Sequence, residues 1–181
     1  MRTTILSAAT LAVAALAPTQ LPASADSIGV SDPKDLGHGA DLRSVEVKHG
    51  GRNVVITTTH SDLVESFRSG SSGAVFLDTD RSHAGPEFVF SGGYFVGTDY
   101  ALLATGGFAT SAWNGPVDGS YGMRIDYDTD QVRMRISRTV MGAPDEVRVA
   151  VRVAGSRPDG SSTKRDWLGA PRSFTEWVAA R

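Results

Sequence analysis

Residues Gly73 to Phe90 read GAVFLDTDRSHAGPEFVF. Two runs rich in Val, Phe and Leu flank a bend that carries Asp78, Asp80 and Glu87 and is punctuated by Gly85-Pro86. Short β-branched and aromatic runs bounded by turn residues are strand signals: such side chains pack on a pleated surface, and Gly or Pro lets the chain reverse. The stretch therefore predicts strands over 74–79 and 87–91, joined by an acidic turn. Carboxylates on a strand end and the loop beyond it suit calcium, which takes several hard oxygens in a flexible shell. They equally suit a turn in which the side chains accept backbone N–H bonds.

The same grammar repeats on both sides. Val45 and Val47 alternate with Ser44, Glu46 and Lys48; Gly50-Gly51 follows, then Val54 and Ile56. A two-residue loop would pair Val47 with Val54 and Val45 with Ile56, keeping the apolar set on one face. Downstream, a loop at Thr129-Asp130 would set Tyr127 against Val132, Ile125 against Met134 and Met123 against Ile136. Val147, Val149, Val151 and Val153 then alternate with Arg148, Ala150 and Arg152, the pattern of a half-buried strand. Further strands are expected within 94–105 and around 172–178. Residues 61–72 read as a short helical turn and loop, and 106–119 and 155–166 as Gly-rich or polar loops. The sum is an all-β antiparallel sandwich of eight or nine strands with no long helix.

The chain begins with Arg2, an apolar run from Ile5 to Leu16 and the small residues Ala23-Ser24-Ala25. This is the pattern of a cleaved secretory signal peptide over residues 1–25; as a membrane span the apolar run is too short and Pro18 and Pro22 follow it. Residues 26–40 mix Gly, Pro and acids without periodicity and read as a leading arm. Residues 41–181 then form a single sandwich domain, of a size able to bury its own core. The protein is expected to be secreted and monomeric, without membrane insertion once the signal is removed. Its cysteine count of 0 means that the core, not disulfides, must hold the domain together. A formal net charge of -2, from 18 basic and 20 acidic residues, gives no global field toward nucleic acid.

Catalytic signatures are absent. No nucleophile-elbow motif surrounds a serine, and His38, His49, His60 and His83 stand apart, without the spacing of a zinc site. Asp126, Asp128 and Asp130 fail as a calcium loop, since an EF-hand needs Gly and Glu where this chain has Gln131 and Ser137. They read instead as the end of a hairpin whose solvent face pairs Asp126 with Arg133 beside Arg124 and Arg135. Arg148 and Arg152 would extend that stripe if the next strand paired alongside.

Taken together, ADLRSVEVKHGGRNVVITTT at 40–59, AVFLDTD at 74–80, GPEFVF at 85–90, Trp113 and DWLG at 166–169 resemble secreted bacterial modules of the superfamily that contains DOMON domains and family 9 carbohydrate-binding modules. The resemblance implies a β-sandwich, a structural calcium ion at the acidic turn (Asp78, Asp80, Glu87), and sugar or haem binding in some members. No Met and His pair stands out as haem ligands. Sugar-binding members clamp their ligand between aromatic rings, which makes Trp113, Trp167, Tyr94 and Tyr100 candidate binding residues; Trp177, on an alternating strand, reads as core. The functional expectation is a non-catalytic module for carbohydrate or another cell-envelope ligand. A protein-interaction domain without a small ligand stands second, and a hydrolase with a dispersed site third.

Overall fold

The computed structural model describes residues 27–37, 40–157, 159 and 161–181. The expected signal peptide and residues 26, 38 and 39 of the arm lie outside the described residues. Among the described residues twelve strands form two antiparallel sheets, linked by loops and three short 3-10 turns. The first sheet runs in the order β1 (Ser27–Ser31), β2 (Leu42–His49), β3 (Asn53–His60), β9 (Gln131–Ser137), β8 (Tyr121–Asp126). The second runs β11 (Lys164–Trp167), β10 (Glu146–Gly155), β4 (Ser72–Asp78), β5 (Phe88–Gly93), β6 (Tyr100–Thr105), β7 (Trp113–Pro116), with β12 (Val178–Ala179) also paired to β10.

Alternation decides what each strand buries. Val45, Val47, Val54, Ile56, Val132, Met134 and Ile136 face inward from the first sheet and meet Val75, Leu77, Phe90, Leu102, Val147, Val149, Val151 and Val153 from the second. Removing such side chains from water stabilises the fold by roughly 1.5–3 kcal/mol each before the entropy of ordering them is counted. Gly73 is required inside this core because Tyr94 crosses directly over it; a Cβ at that position would overlap the Tyr94 phenol.

Both predicted hairpins form, but each is shifted by two residues. Val47 pairs with Ile56, Val45 with Thr58 and His49 with Val54, and the Gly50 N–H closes the turn on the Asn53 carbonyl at 3.0 Å. In the second hairpin Met123 pairs with Met134, Ile125 with Val132 and Tyr121 with Ile136. There the Asp126 carboxylate accepts the Asp128 and Thr129 N–H groups, both at 3.1 Å, and Asp130 adopts a positive φ of 53°, which together build a four-residue turn. A shift of two keeps every side chain on its face, so apolar alternation alone could not have distinguished the registers.

The shift has an electrostatic consequence. Asp126 lies opposite Gln131, not Arg133, and Arg124 lies opposite Arg133, so the cross-strand ion pair expected from the sequence is replaced by a like-charge pair. The basic stripe does not continue onto Arg148 and Arg152 either, because β10 belongs to the other sheet. Two further departures concern the ends of the chain. The leading arm contains β1, whose Ile28 and Val30 pair with Val47 and Val45. The strand expected over 172–178 is reduced to Val178–Ala179. The strand count thus exceeds the eight or nine expected, chiefly through the short edge strands β1, β7, β11 and β12.

Candidate functional site

The outer face of the second sheet carries a second, smaller apolar cluster. Ala74, Phe76, Val89 and Ala150 are buried there under Leu103, Phe108, Trp113, Trp167 and Phe174. Two loops supply the cover. The Thr105 hydroxyl donates to the Gly107 carbonyl at 2.7 Å and accepts the Gly107 N–H at 3.1 Å, fixing the loop that carries Phe108 and leads into Trp113. On the opposite side Thr175 clamps the edge of β10, its N–H to the Val149 carbonyl at 2.8 Å and its hydroxyl accepting the Val149 N–H at 3.1 Å. This seats Phe174 against Phe108, ring centroids 5.5 Å apart. Trp167 stacks on Phe76 at 6.0 Å and 15°, while Trp113 meets the same ring edge-on at 6.1 Å.

Arg152, opposite Trp167 in the ladder, lies over this platform, with its guanidinium 5.5 Å from the Phe76 centroid, 5.8 Å from Trp113 and 5.7 Å from Trp167. Aromatic faces attract a cation but do not neutralise it. Among the described residues no carboxylate forms an ion pair with Arg152 or with Arg165. Burial, and then the Arg165 charge, push the Arg152 pKa below the ordinary arginine range. Beside the two arginines a concavity of about 250 Å³ is lined by Ser72, Ser91, Trp113 and the small residues Gly73, Ala74 and Ala154. The Trp113 Nε1–H is buried and has no protein acceptor. Positive charge, hydroxyl donors and an indole wall therefore converge on one recess.

No protein-family model matches this chain, and no curated protein is similar to it.

The four aromatic candidates do not form one clamp. Trp113 and Trp167 share the outer platform, both half-buried. Tyr94 is completely buried in the core, its ring edge-on to His60 at 5.3 Å. Tyr100, 40% exposed, stacks on the core residue Phe90 at 5.7 Å and meets Tyr121, at the open edge between the sheets. Trp177 is not a core residue: it is half-buried, with the Arg148 guanidinium 4.6 Å and the Arg81 guanidinium 4.7 Å from its ring. Arg152, expected beside Arg133 on a basic stripe, stands instead on the outer face of the second sheet, and Arg165 carries no signal in the sequence, because the missing counter-charge that sets it apart depends on the fold.

The acidic turn is closed by protein donors. Asp78 is fully buried and its Oδ2 accepts the Arg148 Nε–H and Nη2–H at 2.8 and 2.6 Å, while its Oδ1 accepts the Asp80 N–H at 3.3 Å. Asp80 Oδ1 takes the Ser82 N–H and hydroxyl at 2.8 and 2.7 Å. Glu87 Oε2 takes the Thr79 N–H and hydroxyl at 2.7 and 3.1 Å, and Oε1 faces His83 at 3.2 Å. These three carboxylates do not fit a calcium ion, because the place beside Asp78 where a cation would bind is filled by the Arg148 guanidinium.

A different carboxylate group converges elsewhere. Asp32, just past β1, Asp35 in the arm and Asp166 on β11 each bring an oxygen within 4.8 Å of the others. Asp166 is buried and its Oδ2 accepts the Leu42 N–H at 2.8 Å; burial first, then Asp35 and Asp32, push its carboxyl up to about 6. Asp32 is held up in the same way, by burial and then by the neighbouring acids against the pull of the Gly169 N–H.

Proposed function

We propose that the protein is an exported, non-catalytic β-sandwich module that binds an anionic polysaccharide of the cell envelope on the outer face of its second sheet. The observation that carries this reading is the recess at Trp113, where Arg152 and Arg165 face each other's charge without a carboxylate partner. A guanidinium left without an anion over aromatic rings is suited to a ligand carboxylate, which it can grip through two parallel N–H bonds. The indole and the serine hydroxyls supply what a sugar ring needs, an apolar surface and hydrogen-bond partners. Export rests on Arg2, the Ile5 to Leu16 run and Ala23-Ser24-Ala25. The buried histidines favour a non-catalytic role: His60 bonds the Ala40 carbonyl and Thr58, and His49 the Val178 carbonyl.

The test is retention on insoluble polyuronate compared with a neutral glucan. Wild-type protein is expected to be retained on the polyuronate alone and to elute as salt rises, because the attraction is between charges. Arg165→Glu, at an exposed position, should abolish retention without moving the melting temperature. Equal retention of the variant, or none by the wild type, rejects the site.

A second reading, a protein-interaction domain, is favoured by one other observation. Phe67 is 69% and Val96 64% exposed, on adjacent loops joined by the Val96 N–H to the Glu65 carbonyl at 3.0 Å. Exposed aromatic and aliphatic side chains on neighbouring connecting segments suit a protein partner. Phe67→Ser would then abolish partner capture and leave polyuronate retention intact.

A further inference from the structure

We propose that Asp32, Asp35 and Asp166 form a calcium site that ties the leading arm to the edge of the second sheet. Their oxygens lie within 4.8 Å of one another, although the residues come from the two ends of the described chain. The second, independent observation is at Asp32. This side chain is 6% exposed; its Oδ1 accepts the Gly169 N–H at 2.7 Å, but its Oδ2 is buried with no hydrogen-bond partner. Buried carboxylate oxygens are otherwise satisfied, since an isolated one loses its hydration for nothing in return. A cation shared with Asp35 and Asp166 supplies the missing partner.

The surroundings are arranged to hold the oxygens in place. Asp41, 1% exposed, accepts the Asp35 and Leu36 N–H groups on Oδ1 at 3.1 and 2.8 Å, which folds the arm so that Asp35 returns toward Asp32. Its other oxygen takes the Ser61 hydroxyl and faces Arg43 at 3.7 Å. Arg43 stands beside Asp41 and its charge also reaches Asp32, but among the described residues Asp32, Asp35 and Asp166 form no ion pair. All-carboxylate donors are hard oxygens, which select calcium over zinc or copper. Asp35 is exposed, so solvent can reach the ion and complete its shell. Because β1 edges the first sheet and β11 the second, one ion would fasten an edge of one sheet to an edge of the other.

The experiment uses the purified secreted protein after chelator treatment. Calorimetric titration with calcium chloride should show one equivalent bound, and calcium should raise the thermal midpoint over that in chelator, because an ion that binds only the folded state shifts the equilibrium by mass action. Asp35→Asn, exposed and tolerant of change, should weaken calcium binding tenfold or more. In chelator it should melt at or above wild type, since it removes one of three crowded charges. Asp80→Asn, in the acidic turn, should leave the calcium response unchanged. Identical melts with and without calcium overturn the site, as does a calcium response that survives Asp35→Asn but is lost in Asp80→Asn.

Discussion

His60 gives the protein a defined acid sensitivity. The ring is 3% exposed; Nδ1–H donates to the Ala40 carbonyl at 3.2 Å and Nε2 accepts the Thr58 hydroxyl at 2.8 Å, with Tyr94 edge-on at 5.3 Å. Both bonds are satisfied by a neutral imidazole. Burial pushes its pKa down to about 4, against an ordinary value of 6.5. In the unfolded chain the ring takes up a proton below 6.5, whereas in the folded chain it does not until about 4. Stability from this group is therefore complete above pH 6.5, falls by about 1.4 kcal/mol per pH unit as pH drops through that window, and is constant again below about 4. Between pH 7 and pH 5 the loss is about 2 kcal/mol. The measurement is urea unfolding at both pH values for wild type and His60→Gln, whose amide can serve both bonds without titrating. Asp166 works in the opposite direction, since a raised carboxyl pKa favours the folded state as pH falls, so only the difference between the two proteins isolates His60. Parallel pH dependence, or a ring proton that titrates near 6.5 by NMR, refutes the reasoning.

Other outcomes follow from single contacts. Asp78→Asn should destabilise by about 3 kcal/mol, the lower end for breaking a buried pair because the Arg148 side chain is 31% exposed, and the loss should be equal in calcium and in chelator urea melts. Gly73→Ala should cost about 1–3 kcal/mol by the same melts, because Tyr94 has no room to withdraw from the new methyl. Arg133→Ala, which relieves the pairing with Arg124, should change stability by less than about 1 kcal/mol and in the stabilising direction; a loss would mean the two guanidiniums share an anion.

Local pattern made the architecture legible: β2, β3, β8, β9 and β10 stand where apolar residues recur at every second position, and β4 and β5 where short apolar runs are bounded by turn residues. It determined which face of each strand is buried, and hence most of the core. It could not determine register, because a slip of two residues preserves every face; that was decided by the Asx turn at Asp126 and the positive φ at Asp130. Nor can it assign strands to sheets: Arg148 and Arg152 extend the stripe of Arg133 only if β10 pairs alongside, and β10 pairs instead with β4. That pairing places Arg148 opposite Asp78 and turns an acidic bend that suits calcium into a buried ion pair. The converging sites are long-range for the same reason. Asp32 meets Asp166 only after both sheets have folded, Trp113 meets Arg152 only across the assembled second sheet, and a side chain's missing partner is a property of its neighbours in space.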